Sequence, residues 1–196
     1  MKIAHWLVAV LLAAPQIACE PRATTPTFHA TDITGASFAR DFTLTDHNGQ
    51  TRTLADFRGK LVAMFFGYTH CPDVCPTTMA DLAAAIKSIG PDGNKVQVLF
   101  VTVDPERDTA ALLKQYVPAF NPTFLGLHPT TAQLKTLASE YKVVYQKNPG
   151  SDKGNYLMDH TAGTYIYDMQ GRLRLLMPYG TRAELIAQDL KRLMAQ

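Results

Sequence analysis

Cys71 and Cys75, four residues apart, and His160, far downstream, carry the side chains in this sequence best suited to metal or redox chemistry. The cysteines lie in residues 67–76 (GYTHCPDVCP), between an apolar run at 61–66 that reads as a buried strand and a segment at 77–89 with helical periodicity. They therefore occupy a strand-to-helix turn. A helix start offers free backbone N–H groups and the positive end of the dipole, and both favour thiolate over thiol. The expectation is a cysteine pair with depressed pKa, reactive toward metals or disulfides.

Three chemistries compete for such a pair. A purely structural Cys71–Cys75 disulfide would close a very short loop and stabilise by roughly 2 kcal/mol, against about 4.7 for a loop of 100 residues. Stability alone would place the cysteines farther apart. A redox dithiol normally has Cys-x-x-Cys spacing, one residue tighter than here. Such dithiols also face a cis proline from the opposite strand, where this chain has Asp159-His160-Thr161 and no proline from 150 to 177. Metal binding is the third chemistry. Thiolates at i and i+4 share one side of a helix turn, and an imidazole from an opposing loop would complete three ligands. Soft sulfur with one nitrogen suits copper, especially Cu(I). Zinc accepts Cys2His, but a structural zinc site needs a fourth ligand, for which Asp159 is the acidic candidate.

Other residues near these positions have simpler readings. His70 is an exposed loop histidine in the first instance and a spare ligand in the second. Met79 fits the helix core face, whereas Met158, close to His160, is a candidate soft thioether. Asp73 and Asp159 are candidates for tuning the site or its partner surface, and Asp73 reads equally as a capping or dipole residue at the helix start. His29 falls in a linker, His47 in a hairpin, and His128 in a turn before Pro129. Residues 104–109 (DPERDT) read as a turn and helix start with no catalytic role.

The elements that must position these groups follow from the rest of the chain. With 196 residues and 46% hydrophobic content, one well-cored domain is expected. Residues 1–18 have one cation (Lys2), an apolar stretch at 6–14 and small residues before Cys19, the pattern of a secretory signal. The apolar stretch is too short to span a bilayer. Ala18-Cys19 also resembles a lipoprotein junction, although Gln16 departs from that pattern, so Cys19 is a lipidation candidate beside ordinary cleavage. Assigning Cys19 to a lipid leaves one pair of cysteines. The net charge of +2 becomes +1 without residues 1–18, which hold Lys2 as their one charged residue. No basic run is present, which argues against nucleic acid as a partner.

Residues 19–34, rich in Thr and Pro, read as a linker, and 35–196 as the domain. Alternation at 42–45, then Asn48-Gly49, then 51–54, predicts an N-terminal hairpin. A second buried strand is expected at 96–103, a helix facing inward through Leu112, Leu113, Tyr116, Val117 and Phe120, and a short strand at 123–127. Thr130-x-x-Gln133 matches a capping box opening a helix with Leu134, Leu137, Ala138, Tyr141 and Val144 inward; Thr181-x-x-Glu184 matches a second. Between them, 145–159 reads as a long irregular loop whose turn-rich part, 148–154, is expected to move and carry His160 to a metal. Strands at 164–167 and 173–177 form a final hairpin. The sum is an α/β domain with an N-terminal hairpin and a central mixed sheet flanked by helices, which suits a thioredoxin-like fold. In that fold the strand after His160 runs antiparallel to 61–66, so the histidine and the cysteine turn meet.

Residues 67–76, 103–109 (VDPERDT) and 159–165 (DHTAGTY) closely resemble the Sco/SenC family, over about 35–194. The resemblance implies a copper-binding protein of thioredoxin fold at the periplasmic face of the bacterial inner membrane, held there by an N-terminal anchor. Its implied task is to help assemble the CuA centre of cytochrome c oxidase subunit II, with copper received from a donor protein. Cys71, Cys75 and His160 are the implied ligands for Cu(I) or Cu(II). Reduction of the target's oxidised cysteines to thiols, with Cys71 and Cys75 cycling through a disulfide, is the alternative role that the resemblance leaves open.

Overall fold

A computed structural model describes residues 27–149 and 156–196. Its centre is two strands with no alternation, β4 (Leu61–Gly67) and β5 (Val96–Thr102), every residue of which is buried. They pair in parallel, from Leu61 opposite Val96 to Gly67 opposite Thr102. Parallel strands at a sheet centre are covered on both faces, so each position must be apolar or fully hydrogen-bonded. The eight-stranded sheet runs β1-β10-β9-β4-β5-β6-β2-β3. Its remaining members are β1 (Thr31–Asp32), β2 (Thr43–Asp46), β3 (Thr51–Thr53), β6 (Leu125–His128), β9 (Thr164–Tyr167) and β10 (Leu173–Met177). β6 continues the parallel pairing, whereas β9 lies antiparallel to β4 with Thr164 opposite Phe65. The mixed thioredoxin-like sheet and the N-terminal hairpin are as the hydropathy pattern requires.

Helix α1 (Val74–Ile89) buries Cys75, Met79, Leu82, Ile86 and Ile89, a 3- and 4-residue spacing that makes one stripe, and packs against α4 (Ala183–Met194). It stops at Gly90, whose positive φ of 75° no β-carbon opposes. α2 (Ala110–Tyr116) is capped by the Thr109 side chain. α3 (Thr131–Tyr141) opens on the expected capping box, Thr130 with Gln133.

Four local expectations are corrected. The flanks of the expected 145–159 loop are not irregular: β7 (Tyr145–Pro149) and β8 (Tyr156–His160) form a separate antiparallel ribbon with Tyr145 opposite His160, and residues 150–155, which hold most of the expected moving part, lie outside the described residues. β7 is polar after Tyr145 up to Pro149, and β8 carries Leu157 on its outward face, which hid the alternation. Val144 does not continue the inner face of α3, because Lys142 turns left-handed (φ 57°) and leaves Val144 73% exposed. The second capping box does not form, since Arg182 takes the N-cap position and Thr181 Oγ1 donates to the Pro178 carbonyl (2.8 Å). Finally, the end of the expected linker is folded. β1 pairs with β10, and the buried carboxylate of Asp189 on α4 accepts the N–H groups of His29 and Ala30 (2.8 to 3.0 Å). The signal, Cys19 and the rest of the linker to residue 26 lie outside the described residues. Among those described, no helix is long and apolar enough to cross a membrane.

Candidate metal centre

The three residues singled out by chemistry come together. Cys71 Sγ, Cys75 Sγ and an imidazole nitrogen of His160 all lie within 4.8 Å of one another, and among the described residues they are the one such group. The cysteines sit where β4 ends and α1 begins, and His160 is the last residue of β8, brought across by the β9–β4 pairing.

The two thiols are not equivalent. Cys71 is partly exposed, and its sulfur accepts the Cys75 N–H (3.4 Å), one of the free donors at a helix start. Cys75 is fully buried beneath it. Burial pushes the Cys75 thiol far above its ordinary value, with the neighbouring Cys71 adding to the rise. The expectation of a depressed pKa fails for Cys75 because desolvation of a thiolate outweighs one helix end. Gly67 makes this burial feasible. A β-carbon there would approach Cys75 Sγ to 3.0 Å and the rings of Phe65 and Phe100 to 2.8 and 2.9 Å.

His160 is oriented with equal care. Its ring packs edge-on against Tyr68 and Phe65, with centroids 5.9 and 6.0 Å away. Nδ1 lies 3.1 Å from the Thr161 carbonyl, which can only accept, so the proton resides on Nδ1. The Nε2 lone pair then faces the Cys75 thiol at 3.5 Å. Burial lowers the imidazole's pKa and keeps it neutral, the form that binds metals.

Residues 104–109, given no role by their local pattern, tie the two halves of the cluster together. The buried Asp108 carboxylate accepts from Thr69 N–H (3.0 Å), Thr69 Oγ1 (2.6 Å) and Thr102 Oγ1 (2.6 Å), fixing the turn that leads to Cys71. Asp104 accepts from Tyr156 Oη (2.7 Å) and from Arg107 Nε (2.5 Å). Arg107 donates to the Tyr156 carbonyl (2.9 Å) and stacks 3.4 Å over the Tyr156 ring, at the start of the strand that ends in His160. The available sequence signal was four charges in a short turn directly after a buried strand, where only paired charges survive burial.

The remaining candidates fall outside the cluster. His70 is half exposed, 3.7 Å from Asp108. Asp159 points outward and accepts from Asn148 Nδ2 (2.5 Å), so it supplies no fourth ligand. Met79 is core. Met158 shares the buried face of β8 with His160 but belongs to the packing. Asp73 occupies the N-cap position and accepts from the Thr77 hydroxyl (3.3 Å). His29 bonds Gln188, His47 accepts the Gly126 N–H (3.0 Å), and His128 pairs with Thr45 on β2. The donor set of two thiols and one neutral imidazole fits a soft monovalent ion, and lacks what a closed zinc site requires.

The SCO1/SenC family model matches residues 30–195. The mitochondrial SCO2 homolog of Mus musculus is 39% identical over 157 residues, 79% of this chain and 62% of the mouse protein, so the chain spans about six-tenths of that relative. Among solved structures, Bradyrhizobium japonicum ScoI with copper bound is 42% identical with a TM-score of 0.71, over 78% of this chain and 96% of that one. Yeast Sco1 with copper bound is 29% identical with a TM-score of 0.74, over 82% and 90%.

Proposed function

The chain belongs to the SCO1/SenC family, and from that premise we propose that it is a copper carrier in cytochrome c oxidase assembly, binding its cargo through Cys71, Cys75 and His160. The observation that carries the reading is the convergence of two sulfurs and one nitrogen within 4.8 Å, from elements 85 residues apart in sequence. Two thiolates and a neutral imidazole suit Cu(I), and the same set accepts Cu(II). With three ligands, one side of the ion stays open to a recipient's ligands. We assign the CuA site of subunit II as recipient and a copper protein as donor. We place the chain at the periplasmic face of the inner membrane, with residues 1–18 as its signal and Cys19 as the lipid-bearing candidate. Metal analysis of the reduced chain beside Cys71→Ser, Cys75→Ser and His160→Ala tests the ligand set. One copper per reduced monomer, lost in both cysteine variants, is expected; unchanged affinity for both copper oxidation states in His160→Ala rejects the assignment of the histidine.

The asymmetry of the thiols favours a second reading, reduction of a partner's disulfide. Cys71, partly exposed and bonded through sulfur to an N–H, is the attacking group, and Cys75 behind it resolves. The Cys71 thiolate would displace one partner sulfur to form a mixed disulfide. Cys75 then attacks Cys71, leaving a Cys71–Cys75 disulfide and a partner reduced by two electrons. Copper-free reduced chain is expected to reduce an oxidised CuA domain; no turnover there removes this reading and leaves the carrier intact.

A further inference from the structure

A cavity of about 630 Å³ lies far from the metal cluster, between the segment after β1 and the β9–β10 turn. Its charged wall is Arg40, Arg172 and Arg174, with no carboxylate among the lining residues, and its apolar wall is Ala36, Phe38 and Leu173. Two neighbouring carboxylates are already committed. Asp168 pairs with both Arg172 Nε (2.8 Å) and Arg174 Nη1 (3.4 Å), and Asp32 accepts from the Thr34 N–H (2.9 Å). One buried carboxylate thus serves two guanidinium groups, while Arg40 forms no ion pair among the described residues. Arg174, 13% exposed, is locked by Thr34 Oγ1 (2.9 Å) and Gln196 Oε1 (2.5 Å). Those contacts and Asp168 use three of its five N–H donors. Gly171, at φ 75°, turns the chain tightly at the rim.

We propose that this cavity binds an amphipathic anion, a phosphate-bearing head on the arginines with a short apolar tail against Phe38 and Leu173. Guanidinium forks match phosphate oxygens in pairs, and the volume falls within the roughly 300 to 1,000 Å³ of small-molecule sites. The β9–β10 turn sits at the start of β4, where the Gly59 N–H donates to the Met169 carbonyl (2.8 Å), so the seven residues of β4 separate this cavity from the cysteine turn. That distance is about 20 Å at strand rise, and a ligand here leaves the copper ligands untouched. The wall from Thr34 to Arg40 follows directly on β1, through which the chain arrives from residues 1–26. A phospholipid is therefore the nearest source of such an anion, a choice that rests on the proposed membrane anchor, whereas the cavity itself does not.

Dihexanoyl phosphatidylglycerol, below its micelle concentration, is titrated into the full chain by calorimetry and amide NMR. Saturable one-to-one binding is expected, with shifts at Ala36, Gly171 and Leu173. Affinity is expected to fall at least tenfold for dihexanoyl phosphatidylcholine and for inorganic phosphate, and at least tenfold in Arg40→Gln/Arg172→Gln, both residues being exposed. Lys135→Gln, exposed on α3, leaves it unchanged. Equal binding of phosphatidylcholine, retained binding in the double variant, or no saturation overturns the proposal. Inorganic phosphate binding as tightly as the lipid overturns its apolar half and makes a free anion the ligand. The double variant keeps its copper stoichiometry, so failure here and failure of the carrier reading are told apart.

Discussion

Each of the three side chains proposed as ligands is held by a different device. Cys71 has the N–H of a helix start, Cys75 has a dry pocket that exists because position 67 lacks a side chain, and His160 has a carbonyl that fixes its tautomer. Gly67→Ala is the sharpest test of the second. Its methyl would press on Cys75 Sγ and two phenyl rings, so a stability loss of about 1 to 3 kcal/mol is expected. Copper affinity should fall with it, read by denaturant unfolding and copper titration on the same protein. His160→Ala is expected to leave the fold in place and lower copper affinity at least tenfold, with loss of the imidazole contribution to the Cu(II) spectrum.

At the scale of elements, the site is a meeting of a helix start with a two-stranded ribbon, and the 104–109 turn is the clamp between them. Arg107→Met removes the ion pair to Asp104, the bond to the Tyr156 carbonyl and the stacking on its ring. A buried carboxylate that loses its cation costs roughly 3 to 5 kcal/mol. The expected outcome is faster amide exchange across β7 and β8 and weaker copper binding with both cysteines still titratable. Unchanged exchange there would remove the clamp. The β2–β3 hairpin gives a separate test through pH. His47 Nδ1 accepts the Gly126 N–H, and burial lowers its pKa, with Lys114 adding to that and Asp46 opposing it. Below its ordinary pKa of about 6.5 the unfolded chain takes up a proton that the folded chain resists, so stability is full above that pH and declines as pH falls through and below it. His47→Asn keeps an acceptor without titrating, and it is expected to flatten the stability profile between about pH 5 and 7; an unchanged slope would put the effect elsewhere.

At the scale of the molecule, a carrier that binds copper only when folded gains stability with load: about 2.7 kcal/mol at a free ion concentration one hundred times Kd. The melting temperature of the reduced chain should rise with copper and return on chelation, while the oxidised chain, having no thiolate to offer, should not respond. Much of this architecture was legible in the residues alone. The unbroken apolar run at 61–66 and the strongly apolar one at 96–103, interrupted by Gln97 and Thr102, marked central strands, because a strand covered on both faces lacks alternation. The motifs around Cys71, Cys75 and His160 carried the family resemblance and the soft donor set, since ligand chemistry is a property of side-chain type. What local pattern missed was decided by contacts distant in sequence. The ribbon of 145–149 and 156–160 has weak alternation and is held by Arg107 and Asp104, and the last linker residues fold because Asp189 awaits their N–H groups. The buried state of Cys75 likewise belongs to the tertiary structure. A helix start argues for a low thiol pKa, and only the packing of β4, β5 and α1 around that sulfur shows that desolvation wins.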